Sequence, residues 1–160
     1  MKEIFEILEQ NGRATLEQIA TMVDKPVSEV EKIIKQAEKD RSILQYKAII
    51  NWPKLGKEDI WALIEVRVTP QRDVGFDAIA ERIYQFPEVY SAYVVSGTYD
   101  LAIMLKGKNM QEISSFVTEK LAPLERVQST VTHFILKRYK ESGVTFHPPR
   151  EINKRLPITP

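Results

Sequence analysis

The chain has 160 residues, of which 43% are hydrophobic and 28% charged, and its 23 basic and 22 acidic side chains leave a formal net charge of +1. This composition is typical of a folded globular protein and excludes a disordered or collagen-like chain. Because the sequence contains no cysteine, it also excludes disulfides, thiolate catalysis and cysteine-ligated zinc. A near-neutral total charge leaves open whether the partner is a nucleic acid.

The hydropathy pattern and the first residues favour a cytoplasmic protein. No apolar run approaches the roughly 18 residues that a membrane-spanning helix needs, so no membrane partner is expected. Residues 1–6 carry acids where a signal peptide would carry a basic region and an apolar core. The two histidines, His133 and His147, are too scattered for a metal cluster, so neither a metal nor another cofactor is predicted.

The first 40 residues show helical periodicity in three short stretches. The first predicted helix ends at residues 11–12, an Asn-Gly pair. Thr15 and Gln18 have the spacing of a capping box at the start of the second helix. A tight turn at residues 24–26 then leads to a third helix that begins around Val27.

The third helix and the segment after it predict a winged helix-turn-helix. In that motif the second helix of the pair enters the major groove of DNA, led by its N-terminal residues. Residues 43–50 are rich in β-formers and long enough for a small hairpin, the wing. Ser28 is the candidate cap of the helix. The side chains expected to face bases or nearby phosphates are Ser28, Lys32, Lys35 and Gln36, and those expected to hold the DNA backbone are Arg41 and Lys47.

The charge of the third helix leaves an alternative open. Acids facing the groove oppose phosphate neutralisation, which dominates DNA affinity. The alternative is therefore a three-helix protein–protein module, although the residues favour DNA binding. Within 27–39 the basic and acidic residues balance: Lys32, Lys35 and Lys39 against Glu29, Glu31 and Glu38.

The remainder of the chain predicts a ferredoxin-like domain. Alternating apolar residues from 59 onward indicate a strand. The hydrophobic periodicity of the following segments predicts a helix, two strands, a second helix and a last strand. This βαββαβ order gives one antiparallel sheet with two helices on one face, so the fold class is α+β. The predicted organisation is 1–50 winged helix-turn-helix, 51–58 linker, 59–142 ferredoxin-like domain, and 143–160 an extended, proline-rich tail.

Both faces of the predicted sheet carry apolar residues. In the first strand, Trp61 and Leu63 alternate with the apolar residues that begin at Ile60. In a later strand, Ala92 alternates with Tyr93. An antiparallel sheet with one face in water should alternate with polar residues instead. The pattern therefore predicts that the second face packs against another copy of the chain, sheet to sheet, in a homodimer.

The segment 95–101, Val-Ser-Gly-Thr-Tyr-Asp-Leu, is the second candidate site. Gly97 at a hairpin turn permits positive φ and close approach by a ligand. With Tyr99 opening the next strand, Asp100 lies on the opposite face, where its carboxylate could receive the ammonium group of a small amino acid. Composition alone favours a hairpin with a solvated aspartate. No catalytic motif is present, and His133 reads as a structural histidine.

The order of these parts, with residues 11–13 (Asn-Gly-Arg), 43–46 and 95–101, resembles the Lrp/AsnC family of transcriptional regulators. The resemblance implies an N-terminal winged helix-turn-helix that binds double-stranded DNA and a C-terminal domain that senses small effectors, usually amino acids. It also implies dimers that often assemble into tetramers or octamers, with the effector held between dimers. The implied effector-binding residues are Ser96, Gly97, Thr98, Tyr99 and Asp100.

The chain departs from the family pattern at a few positions. Glu29 and Glu31 stand where neutral or basic residues are usual, which keeps a ligand- or protein-binding paralogue as the alternative. Thr98 stands where an acid is frequent. A siroheme decarboxylase branch shares the architecture but carries a histidine where this chain has Ser91, which argues against decarboxylation. The expected protein is therefore a DNA-binding regulator and not an enzyme.

Overall fold

The computed structural model describes residues 1–69 and 75–146. The chain divides into two compact units, Met1–Ile50 and Asn51–Pro160. Within the described ranges, no helix is long and apolar enough to cross a membrane. Position 147, the second histidine, and the rest of the predicted tail lie outside the described residues.

The first unit is built from three helices, α1 (Lys2–Gln10), α2 (Leu16–Val23) and α3 (Val27–Lys39). Each helix buries one apolar stripe against the other two, as the periodicity predicts. A three-residue connection separates α2 from α3, and Asp24 adopts the left-handed conformation there (φ 50°). This geometry is that of a helix-turn-helix pair. The buried core consists of Ile4, Ile19, Ala20, Val30 and Ile34.

The capping predictions for the first unit have different outcomes. Thr15 and Gln18 form the predicted capping box, in which each side chain accepts a hydrogen bond from the other residue's backbone N–H. The predicted cap at Ser28 is wrong, because α3 begins one residue earlier, at Val27. Its N-cap is Pro26, whose fixed φ suits a helix entrance and whose carbonyl accepts the backbone N–H of Glu29 at 3.0 Å.

The hairpin predicted over residues 43–50 is not found, since no strand is formed between residues 41 and 51. The segment has β-forming residues but no Gly, Asn, Asp or Pro within it to reverse the chain, and a single strand needs a partner. Instead, the backbone N–H of Ile43 bonds to the carbonyl of Ala37, and the Tyr46 hydroxyl donates to Glu38 Oε1 at 3.0 Å. The segment therefore docks on α3.

The second unit is the predicted ferredoxin-like fold. Its sheet comprises β1 (Ile60–Val68), β2 (Val89–Val94), β3 (Leu101–Gly107) and β4 (Val127–Ile135) in the order β2-β3-β1-β4, with every pair antiparallel. Helix α4 (Asp77–Tyr84) follows β1. Helix α5 (Met110–Ser115), whose N-cap Asn109 accepts the backbone N–H of Glu112, continues as a π-helical segment over Phe116–Leu121 before β4.

The core of the second unit lies between one face of the sheet and the two helices. Alternate residues of β1 and β3 point into it, and α4 and the α5 segment close it with their own apolar stripes. Burial of this face explains why the two helices lie on the same side. The fully buried members are Ala62, Ile64, Val66, Ile83, Leu101, Ile103, Leu105, Ile113 and Leu121.

Two short elements lie outside the predicted pattern. A 3₁₀ helix (Trp52–Leu55) occupies the predicted linker and ends at Gly56, whose φ is +75°. After β4, β5 (Lys140–Glu141) pairs with β6 (Val144–Thr145) through a two-residue turn in which Ser142 and Gly143 both have positive φ. The start of the predicted extended tail is therefore a hairpin, and the Ser-Gly pair is the sequence signal for it.

We expect Thr15→Ala to destabilise the first unit by about 1 kcal/mol, because the N–H of Gln18 loses its acceptor at the start of α2. Thermal unfolding followed by circular dichroism at a helix wavelength measures this change. Thr21→Ala is the matched control, since Thr21 is exposed and bonds only to the carbonyl of Glu17 within its own helix. Equal midpoints for the two variants would contradict a stabilising role for the cap.

Candidate nucleic-acid interface and effector loop

The outer side of α3 carries the side chains predicted to read DNA. Ser28, Lys32, Lys35 and Gln36 are all exposed. Their spacing places them on one side of the helix, opposite the buried Val30 and Ile34. Together with Glu31 and Lys39 they line a single shallow depression. The structure thus brings these four predicted residues together on the second helix of the pair.

Acidic neighbours on the same helix neutralise part of this surface. Lys35 Nζ lies 2.6 Å from Glu31 Oε1, and Lys25 pairs with Glu29. The hydrogen bond and the opposite charge of Glu31 raise the pKa of Lys35 above its ordinary value, so Lys35 is held as a paired cation. Among the described residues, Lys32 and Lys39 make no ion pair, so they are the open cations of the depression.

Arg41 and Lys47 belong to the same unit but do not line the α3 depression. Arg41 follows the end of α3 in the left-handed region (φ 63°), and Lys47 lies on the irregular segment that docks on α3. Hydrogen bonds from the hydroxyl and N–H of Ser42 lower the pKa of Asp40, so this carboxylate accepts them in its charged form. Both basic residues are exposed.

Three hydrogen bonds hold the 95–100 loop, one within the loop and two to the end of β1. The N–H of Val95 donates to the Asp100 carbonyl at 2.9 Å, which closes the loop, and the N–H of Asp100 donates to the Val66 carbonyl at 3.0 Å. The Asp100 side chain contributes the third bond, because its Oδ2 accepts the N–H of Val68 at 2.9 Å. Asp100 is therefore a half-buried anchor, whereas composition alone predicts a solvated aspartate.

Two predictions about this loop are corrected by the structure. Strand β3 starts at Leu101, so Tyr99 and Asp100 belong to the loop and not to opposite faces of a strand. Gly97 does not have the positive φ that the turn was expected to need, and a Cβ there would meet no atom within 4 Å. Four residues between Val95 and Asp100 are enough to reverse the chain without a left-handed residue.

The loop still presents a surface on which a small ligand can bind. Ser96, Gly97 and Thr98 are exposed, and Tyr99 is half-buried. Their backbone amides and the Ser96 and Thr98 hydroxyls supply hydrogen-bonding groups close to a carboxylate. The loop therefore offers both donors and an anion within a few residues, which is the combination that an amino acid requires.

The face of the sheet away from the helices carries the predicted apolar side chains together with polar ones. Cross-strand rows on this face join Ser91, Met104 and Leu63, and Tyr93, Ala102, Glu65 and Val131. Tyr93 is 58% exposed and Val131 50% exposed. His133 lies on the same face with Nε2 3.1 Å from Glu65 Oε1, so it is paired as expected of a structural histidine.

These features define a class of chains in which a helix-turn-helix unit precedes a ferredoxin-like unit. Residues 61–145 match the family model described as the Lrp/AsnC ligand binding domain. The chain is 49% identical to the uncharacterised HTH-type transcriptional regulator YugG of Bacillus subtilis, over 99% of this chain and 95% of that protein. It is 28% identical to the HTH-type transcriptional regulator FL11 of Pyrococcus furiosus, over 88% and 90%.

Solved structures have the same fold. The transcriptional regulator NMB0573 of Neisseria meningitidis, in its complex with L-methionine, superposes with a TM-score of 0.69 at 26% identity, covering 87% of this chain and 89% of that one. The AsnC protein of E. coli superposes with a TM-score of 0.67 at 17% identity, covering 88% and 92%. The chain belongs to the Lrp/AsnC family of transcriptional regulators. The prediction that it is not an enzyme is confirmed, because its relatives are named as regulators.

We expect Asp100→Ala to lower the stability of the second unit by about 1–2 kcal/mol, because the N–H of Val68 at the end of β1 loses its acceptor. Asp100→Asn keeps a carbonyl oxygen in the same place and is expected to recover most of the loss. Unfolding followed by tryptophan fluorescence measures the change, since both tryptophans lie in this unit. An alanine variant as stable as the unsubstituted protein would show that the anchor is dispensable.

Proposed function

We propose that the protein is a DNA-binding transcriptional regulator that responds to an amino acid. The observation that carries the proposal is the exposed face of α3, where Ser28, Lys32, Lys35 and Gln36 lie together on the second helix of a helix-turn-helix pair. That helix is the one that enters the major groove in such motifs. The named relatives are HTH-type transcriptional regulators, which supports this role.

The proposed DNA-binding form is a homodimer. Its interface is the sheet face away from the helices, because the exposed Tyr93 and Val131 on this face are costly to leave in water and a two-fold axis would pack the face against itself. Two helix-turn-helix units per dimer would meet half-sites about 34 Å apart, one turn of DNA. Higher assemblies, tetramers or octamers of these dimers, belong to the same proposal.

The proposed effector site is the loop formed by Ser96, Gly97, Thr98, Tyr99 and Asp100. Asp100 Oδ2 already holds the N–H of Val68, so an incoming ammonium group would share the carboxylate with that bond, and the exposed amides of the loop would hold the ligand's carboxylate. The structural neighbour from Neisseria meningitidis contains L-methionine. An effector alters DNA binding only if its affinity differs between two arrangements of the assembly.

One observation favours a second candidate, a ligand- or protein-binding paralogue with a weakened DNA-binding helix. The ion pairs of Glu31 with Lys35 and of Glu29 with Lys25 place two carboxylates at the front of α3. Phosphates of DNA would compete with these carboxylates for the same ammonium groups. The two candidate functions differ in whether α3 still binds DNA despite this competition for its ammonium groups.

The test is fluorescence anisotropy with the DNA upstream of the protein's own gene and with a random duplex, at two salt concentrations. We expect Lys32→Ala with Lys35→Ala to abolish the preference for the upstream DNA and to reduce the slope of log affinity against log salt by about 2, because two phosphate contacts are lost. Repeating the titration with L-methionine tests the effector response.

Lys108→Ala with Lys140→Ala is the matched control, since it removes the same charge from exposed positions outside the first unit. Glu31→Gln frees Lys35 and removes a carboxylate, so it is expected to strengthen DNA binding if α3 faces the groove. Equal affinities for the α3 variants, the control and the unsubstituted protein would sink the regulator proposal and favour the paralogue.

Val131→Asp tests the proposed dimer. A buried, unpaired carboxylate beside Glu65 is expected to raise the dimer dissociation constant more than about 100-fold. Sedimentation velocity over a range of concentrations measures it. Gln111→Asp adds the same charge on an exposed position of α5 and is expected to leave the dimer intact. A Val131→Asp protein that still dimerises like the control would move the interface elsewhere.

A further inference from the structure

A second cavity lies at the opposite end of the sheet from the 95–100 loop. It is formed by the segment around the 3₁₀ helix, by the start of β1 and by the chain that leaves β4, and its volume is about 510 Å³. This volume is within the range of small-molecule sites, roughly 300–1,000 Å³. Neither the DNA-binding face nor the effector loop contributes a residue to its lining.

The central feature of this cavity is Arg138. Its guanidinium carbon lies 4.5 Å from the ring centre of Trp61 and 4.9 Å from that of Phe146, and no carboxylate of the described residues pairs with it. The rings position the guanidinium through its flat face, so its N–H donors in the plane stay available. A positioned arginine with open donors is the residue that binds carboxylate and phosphate groups in two-point geometry.

Further cations surround this arginine. Lys54, Lys57 and Lys137 also line the cavity, and all three are exposed. Two acids oppose them, but Asp59 is already paired with Lys106, whose Nζ lies 2.9 Å from Asp59 Oδ2. Glu58 is then the one unpaired acid among the described lining residues, whereas Arg138 and the three lysines supply four positive charges. The cavity therefore attracts anions.

The wall of the cavity also has an apolar part, and Trp61, one of its lining residues, carries a buried donor. Trp61 is only 7% exposed, and its buried indole N–H has no acceptor among the described residues. Buried donors are normally paired, so this unpaired N–H is an exception among the described residues. Ile135 and Leu136 line the same cavity, and the Leu136 side chain is 97% exposed.

We propose that this cavity binds a small organic anion, with an apolar body against Trp61 and Leu136 and a carboxylate or phosphate on Arg138 and the neighbouring lysines. The site is distinct from the proposed effector loop. That loop is anchored at Val66 and Val68, whereas the cavity lies at Trp61, so the length of β1 separates them by roughly 20 Å.

The experiment is a fluorescence titration of the full chain, because both of its tryptophans report on this region. Trp61 lines the cavity, and Trp52 lies between lining residues 51 and 53, with Lys57 Nζ 5.0 Å from its ring centre. The probes are phenyl phosphate, benzoate and the neutral benzyl alcohol. We expect saturable quenching by one or both anions and none by the alcohol, and the better anion identifies the preferred group. Equal responses to anions and alcohol would overturn the proposal.

Arg138→Gln is expected to weaken the binding of the better anion at least about tenfold, because a charge-assisted pair of hydrogen bonds is lost. Lys108→Gln removes an exposed cation outside the cavity and is expected to leave affinity unchanged. Because Arg138 packs on Trp61, Lys54→Gln with Lys137→Gln serves as a second variant that leaves this packing in place. Unchanged affinity in that double variant, or in a folded Arg138→Gln protein, contradicts the site.

A competition arm separates a small-molecule site from a DNA backbone contact. A random DNA duplex is added to the protein already bound to the anionic probe. We expect the probe to stay bound, since the apolar wall at Ile135 and Leu136 favours the aromatic body of the probe over a phosphate backbone. Displacement of the probe by DNA, together with weaker DNA binding by Arg138→Gln, would assign these cations to phosphate contacts and overturn the proposal.

Discussion

The arrangement of the second unit depends on the pairing of β1 between β3 and β4. This central strand has neighbours on both edges, and its buried face supplies Ala62, Ile64 and Val66 to the core. Because β1 is held along its whole length, its two ends are rigid platforms. The carboxyl end receives Asp100 and so positions the effector loop, and the amino end places Trp61 beneath Arg138. Both candidate ligand sites of this unit thus depend on the same strand.

In the first unit, the orientation of α3 and the charge of its exposed side have separate causes. Packing of Val30 and Ile34 against Ile4 and Ile19 turns the opposite side of α3 outward, whatever residues occupy it. The charge on that side depends only on which residues are exposed there. In this chain the glutamates that pair with Lys25 and Lys35 reduce its positive charge. A helix of this kind binds phosphate less strongly and relies more on base contacts, so its DNA affinity should depend on salt less than that of a strongly basic helix.

The sheet face that carries Tyr93 and Val131 connects these functions. In the proposed dimer this face is shared by two copies, so a ligand that shifts the packing of one sheet also shifts the other. The Glu65 and His133 pair lies on the same face and adds a polar contact within apolar surroundings. In the proposed dimer such a contact would give register to an interface that apolar side chains alone would leave free to slide.

The sequence by itself determined the elements whose causes are local. Thr15 with Gln18 set the start of α2 through contacts three residues apart, and alternation along 60–68 identified β1 and predicted apolar residues on its second face. The family motif at 95–101 identified the loop. Local chemistry is enough in these cases because both partners of each interaction are neighbours in the chain.

Only the tertiary structure decided the rest, because the partners are distant in sequence. Asp100 became an anchor when β1 presented the N–H of Val68, 32 positions earlier, and residues 43–50 lost their predicted hairpin because the docked Tyr46 bonds to α3 instead. The cavity of Arg138, Trp61 and Phe146 has no sequence motif at all. It exists because antiparallel pairing brings the end of β4 to the start of β1, and the following hairpin adds its aromatic ring to that corner.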